Sequence, residues 1–248
     1  MIQDPWFWAI AIPAVVLLGL SKGGFAGAGS LSLPMMATVI DPVLAAAILL
    51  PILIVQDAVG VWAFRRNVDW RVIGWALPGA IIGIGAGWAF SARVSADAVL
   101  AMVGGISILF GGWRLWLNRR GTVPARRTPG WVGTMLGIAS GFTSHVAHAG
   151  APPFQLWVMP MKLPRDILVG TTAIFFALVN LLKLPGYWAL GQFDGSALPV
   201  AAILIPIAVA STLAGVWLVR RVPHEPFEKL IYVLMIAVGI KLVWDGLG

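Results

Sequence analysis

A few polar side chains in an otherwise apolar sequence have the types and spacing to do chemistry. Ser21 and Lys22 open the run Gly23-Gly24-Phe25-Ala26-Gly27-Ala28-Gly29-Ser30. Glycines at 23, 24, 27 and 29 let backbone N–H groups approach a ligand with no Cβ in the way. With the hydroxyls of Ser30 and Ser32 they fit an oxyanion cradle, although small residues are also the ordinary packing surface of membrane helices. Lys22 then either pairs with an anionic solute, because a lone buried cation is costly, or snorkels to a wet surface. Asp57, in Ile54-Val55-Gln56-Asp57-Ala58, is expected to face the protein interior for the same reason. Asn180 and Lys183 share one helical face, with Phe176 and Thr172 one and two turns earlier. Asp57 and Lys183 are either a structural pair or a coupling site where substrate binding competes with protonation of the carboxylate, and Lys183 is also a candidate second anion contact. His145 and His148, at i and i+3, lack a nearby third ligand for a metal. They are read as substrate hydrogen-bonders, as a proton switch with His145 in the coupling role, or as side chains satisfied by the local backbone. Ser144 and Gln155 add neutral donors.

The elements that must position these groups follow from composition. The 248 residues are 59% hydrophobic and 11% charged, against roughly 25% charged in a soluble domain. Apolar runs of membrane-crossing length recur throughout, for example 98–117, 198–218 and 227–244. The chain reads as an all-α polytopic membrane protein. The net charge of +7 sits in short loops rather than along one face, which excludes a nucleic-acid surface. The absence of cysteine removes disulfides, thiolate chemistry and Cys-ligated metals. No G-x-x-x-x-G-K-[ST] motif is present to bind a nucleotide. No cofactor is expected, and the start of the chain lacks the basic region of a signal peptide.

Hydropathy and punctuation predict helices over 5–20, 28–40, 43–64, 73–91, 97–117, 131–144, 150–161, 166–188, 197–219 and 226–246. The pairs 5–20 with 28–40 and 131–144 with 150–161 are too short to cross singly, so each is either one long broken helix or a re-entrant hairpin. Charge selects the hairpin. Placing Arg65, Arg66, Arg71, the basic linker and Arg220–Arg221 in the cytoplasm satisfies the positive-inside rule for all Lys and Arg except Lys22, Arg93, Lys183 and Lys241. The linker 118–130 is then cytoplasmic and both termini are periplasmic. Residues 1–117 and 131–248 become two inverted-topology repeats, each a broken hairpin plus three transmembrane helices, eight membrane segments in all. Asp41-Pro42 and Pro164-Arg165-Asp166 precede corresponding spans, and Asp57 falls opposite Asn180. The tryptophans near span ends, such as Trp6, Trp75 and Trp244, are expected in an interfacial belt.

The stretch Gly23-Gly24-Phe25-Ala26-Gly27-Ala28-Gly29-Ser30-Leu31-Ser32-Leu33-Pro34 resembles the first motif of the sulfite exporter TauE/SafE family, the sulfonate-uptake permeases. Gly141-Phe142-Thr143-Ser144-His145-Val146-Ala147-His148-Ala149-Gly150 repeats its placement in the second half. The second half departs from the family's glycine-rich turn by carrying Ser144, His145 and His148. The resemblance implies a multi-pass permease of a bacterial inner membrane that moves sulfite, thiosulfate or an organosulfonate. Ser21, Lys22, the four glycines, Ser30, Ser144, His145, His148, Gln155, Asn180 and Lys183 are then the substrate contacts, and Asp57 and His145 the coupling groups. An anion channel and an intramembrane Ser/His hydrolase are the competing classes. A bundle of this kind can also dimerise through an apolar face.

Overall fold

The computed structural model describes residues 4–22, 28–119, 128–193, 195, 197–218 and 225–248, with only the backbone described for Asn118 and 225–228. Gly23, Gly24, Gly27 and most of the basic linker lie outside the described residues. Helix α1 runs Pro5–Lys22, and residues 28 onward continue with a 3-10 turn, Ala28–Leu31, and the short α2, Ser32–Met36. Then come α3 (Pro42–Phe64), α4 (Trp70–Ser91), α5 (Ala96–Arg119), α6 (Gly130–Ala147), α7 (Ala151–Val158), α8 (Arg165–Ala189), α9 (Ala197–Leu218) and α10 (Glu225–Leu247). Among the described residues the regular structure is entirely helical.

The helix starts have local causes. Asp41 caps α3, its carboxylate accepting from the N–H groups of Val43 and Leu44, and Pro42 occupies a first-turn position whose N–H would be unpaired in any case. Asp69 caps α4 in the same way through Arg71 and Val72, which is why that helix begins three residues before the apolar run at 73. One expectation needs correcting. The first segment reaches Lys22 and is 18 residues long, about 27 Å at the helical rise. It is therefore long and apolar enough to cross a membrane, as are α3, α4, α5, α8, α9 and α10, whereas α6 and α7 are not among such helices. The expected 28–40 and 150–161 helices are also interrupted. A 3-10 turn precedes α2 and another, Met159–Met161, follows α7.

Glycine lets the helix backbones touch. A Cβ on Gly141 of α6 would lie 2.1 Å from the carbonyl oxygen of Ala80 on α4, and one on Gly83 of α4 would lie 2.0 Å from that of Ile138. Gly104 of α5 meets Gly239 of α10, and Gly19 of α1 meets Ser211 of α9. Helix α4 thus lies along α6, α5 along α10 and α1 along α9, while α3 packs on both α8 and α9, and α4 also on α8. The buried apolar side chains fall into two clusters. The larger joins α1, α2, α3, α5, α9 and α10. The smaller joins α4, α7 and α8 through Ala76, Ala80, Phe154, Trp157, Phe175 and Phe176. Ten tryptophans, from Trp6 to Trp244, are exposed on the outside of the bundle, as a lipid interface requires. The described helices make a multi-pass membrane protein.

Candidate functional site

The second hairpin breaks at His148. Helix α6 ends with His148 in the left-handed conformation, φ 49°, a position that usually takes glycine. The N–H groups of His148 and Ala149 donate back to the carbonyls of Ser144 and Thr143. Ser140 Oγ donates to the Gly150 carbonyl at 2.7 Å and Thr143 Oγ1 to the Ala149 carbonyl at 3.0 Å, which ties the turn to its own helix. Between this turn and the end of α1 lies a cavity of about 110 Å³. That is several times the roughly 10–15 Å³ one water requires by the same measure. Ser21, Lys22, Gly29 and Ser30 form one wall, and Ser144, His148 and Gln155 form another. Helix α8 supplies a third, with Thr172, Phe176 and Asn180 in line, and Leu18, Leu53 and Met159 make part of the lining apolar.

Lys22 reaches the cavity wall with its ammonium 2.5 Å from Asp57 Oδ1. Asn180 Nδ2 donates to the other carboxylate oxygen, also at 2.5 Å. Asp57 is 2% exposed, so both of its oxygens are buried and both are committed to donors. Three helices, α1, α3 and α8, are joined at this one carboxylate. The Phe176 ring lies 5.8 Å from the Lys22 nitrogen, offering a π face to the same cation.

Lys183, one turn beyond Asn180, is fully buried. Its nitrogen lies 3.1 Å from the Ser144 carbonyl, 3.3 Å from Ser144 Oγ and 2.8 Å from His148 Nδ1. His148 Nε2 lies 3.0 Å from the Ala46 carbonyl, which can only accept, so Nε2 carries a hydrogen and Nδ1 of the neutral ring accepts from Lys183. The three ammonium hydrogens thus meet three acceptors, none of them an acid. Ser144 Oγ receives one of these, which leaves its own hydrogen available to the cavity it lines. Gln155 is 6% exposed and lines the cavity, and its side-chain amide makes no hydrogen bond to protein. Chemically, the site offers one compensated cation, a lysine behind the wall with only neutral partners, and uncommitted neutral donors.

The sulfite exporter TauE/SafE family matches residues 11–242, nearly the whole chain. This chain belongs to the sulfite exporter TauE/SafE family. It is 28% identical over 189 residues to the probable sulfite/organosulfonate exporter TauE of Cupriavidus necator, covering 72% of this chain and 70% of that protein. It is 26% identical over 184 residues to the probable inner membrane transporter protein TsaS of Comamonas testosteroni, covering 71% and 73%. No solved structure matches the chain. The family and these relatives are membrane transporters, not enzymes.

In this TauE/SafE chain the structure gathers Ser21, Lys22, Gly29, Ser30, Ser144, His148, Gln155 and Asn180 on one cavity. Among the described residues it leaves Ser32, Asp57, His145 and Lys183 off its lining. His145 is buried on the far side of α6, its ring edge-on to Tyr187 at 5.2 Å and its Nδ1 without a partner. Lys183 stands behind Ser144 and His148 rather than on the wall. The Asp57 pair is also a correction, since its cation is Lys22 and its second donor Asn180, with Lys183 bonded elsewhere. A Ser/His hydrolase arrangement is not formed. His148 is engaged by Lys183 and Ala46, while Ser21 and Ser32 donate to the carbonyls of Leu18 and Ala14. Sequence reasoning missed Tyr187, one turn past Lys183, whose hydroxyl donates to the His145 carbonyl and braces the end of α6. It also missed the apolar wall of Leu53 and Met159, which looks like any other span from sequence.

Proposed function

We propose that this member of the family is a secondary transporter of a small sulfur-containing anion such as sulfite, thiosulfate or an organosulfonate, bound in the cavity between the two hairpin breaks. The observation that carries the reading is the cavity wall itself. An ammonium, a serine hydroxyl with its hydrogen uncommitted and a glutamine amide with no protein partner converge on a space large enough for a few heavy atoms. Buried donors without protein partners are costly unless a ligand or water satisfies them. The family membership and the printed names of the relatives from Cupriavidus necator and Comamonas testosteroni support sulfur-containing anions as the solute class.

The helix pairings favour two inverted repeats. Exchanging α1 with α6, α2 with α7, α3 with α8, α4 with α9 and α5 with α10 turns the α1–α9 contact into α6–α4 and the α3–α9 contact into α8–α4. The same exchange leaves α3–α8 and α5–α10 in place. A pseudo-two-fold relation of this kind fits alternating access around a fixed midplane site. In this reading each broken hairpin is re-entrant, giving eight membrane segments. The linker is then cytoplasmic, both termini are periplasmic, and the chain sits in a bacterial inner membrane, with an apolar face free to form a homodimer.

The test is binding and flux with purified protein. Titrating sulfite, thiosulfate, methanesulfonate, taurine and acetate by calorimetry should show binding of sulfur-containing anions and at least tenfold weaker binding of acetate. In proteoliposomes, an imposed gradient should drive accumulation of the bound solute. Equal binding of acetate would reject the solute class, and a high passive conductance without accumulation would make the protein a channel.

A further inference from the structure

Charge around the cavity does not balance when it is empty. Lys22 and Asp57 cancel each other at contact distance. Each Asp57 oxygen accepts one hydrogen bond, from Lys22 on one side and Asn180 on the other. Lys183 is fully buried and bonded only to a carbonyl, a hydroxyl and an imidazole nitrogen, none of which carries negative charge. The sequence 23–27, Gly-Gly-Phe-Ala-Gly, contains no ionisable side chain.

The geometry points to Lys183 and His148 as the joint carrier of one proton, bound together with one monovalent anion and released with it. This rests on the cavity being the anion's site. The pair can hold one excess proton and not two. With His148 Nε2 fixed as a donor to Ala46, the single hydrogen between Lys183 Nζ and His148 Nδ1 belongs to one nitrogen or the other. A second would set an ammonium hydrogen against an imidazolium hydrogen at 2.8 Å. A buried positive charge with only neutral acceptors is strongly disfavoured, so the empty site sheds the proton to water through the cavity that His148 lines. An anion seated against Ser144 restores the missing counter-charge and draws the proton back. Lys22 and Asp57 face the same region as an opposed, contacting charge pair. His145, from α6, and Tyr187, on the same face of α8, are the other titratable groups packed nearby. The result is electroneutral movement of anion and proton, one for one.

Methanesulfonate tests this because it stays a monoanion across the neutral range, so any pH dependence belongs to the protein. Its affinity should be greatest at low pH, where the pair already holds its proton. It should fall about tenfold per pH unit through the range where the empty site has lost that proton. Calorimetry in two buffers of different ionisation heat should register uptake of one proton per anion. Lys183→Arg, which keeps the charge but cannot release it, should bind with no pH dependence. An infrared difference spectrum of wild-type protein, independent of any variant's folding, should show no new protonated-carboxyl band on binding. Binding without proton uptake, or with a carboxyl band, overturns the assignment and leaves the anion site standing. Failure of methanesulfonate, sulfite and thiosulfate to bind at any pH overturns both.

Discussion

Gln155 shows how a single residue separates stability from function. Its amide lines the cavity with no protein partner, so it adds nothing to the fold that an apolar side chain of similar volume would not. Gln155→Leu should leave the thermal midpoint unchanged or raise it, while weakening anion binding about tenfold, the worth of roughly one hydrogen bond. A thermal shift assay with and without sulfite separates the two effects. A lowered midpoint with unchanged affinity would instead make Gln155 a structural residue. Much at this scale was legible in the sequence, because charged and amide groups in an apolar run stand out by type alone. Lys22, Asp57, Asn180 and Lys183 were all singled out that way. Their pairing was not legible. Lys22 and Lys183 are equally reasonable partners for Asp57 until three helices are packed, and only then does the carboxylate sit within 2.5 Å of one of them.

The start of α3 was readable from Asp41-Pro42, whereas the Asp69 cap was not read and α4 begins three residues before the expected 73. The break after α6 is less so. Its left-handed position carries His148 where glycine would have announced it, and the turn is held by Ser140, Thr143 and Ser144 instead. Which helices lie together is set by glycine faces whose partners are distant in sequence. At the α4–α6 contact the backbones are so close that a side chain has no room. Gly141→Leu would drive a Cβ to 2.1 Å from the Ala80 carbonyl and should destabilise the fold by about 1–3 kcal/mol or more. It should also shift α6, and with it Ser144 and His148, away from the cavity. Gly74→Ala, on the same α4 but with open space around the added atom, should be neutral or stabilising by up to about 1 kcal/mol. Thermal unfolding in detergent compares the two, and equal effects would mean the α4–α6 contact is not limiting.

Over the whole molecule, the cavity lies on the seam between the two apolar clusters. Leu18 and Leu53 belong to the larger, and Phe176 to the smaller. Across that seam runs the Asn180–Asp57 contact, since Lys22 and Asp57 both stand on helices of the larger cluster, so a relative movement of the two bodies would have to break or hand over that bond. Such a coupling is what a carrier needs. An anion that takes over the Asn180 donor would lower the cost of the movement, while an empty site would resist it. The proposed inverted repeat adds a definite orientation, and the natural lack of cysteine makes that orientation measurable on a clean background. Single cysteines in place of Arg65, after α3, and Ala92, after α4, bracket one span. Lys162→Cys, just before α8, reports the far end of the second hairpin. A membrane-impermeant maleimide added to intact spheroplasts should label Ala92→Cys and should reach Arg65→Cys and Lys162→Cys only after permeabilisation. Labelling of Lys162→Cys from outside would make α6 and α7 one broken crossing rather than a hairpin. The second half would then share the orientation of the first, and the two hairpin breaks would no longer be related by an axis in the membrane plane.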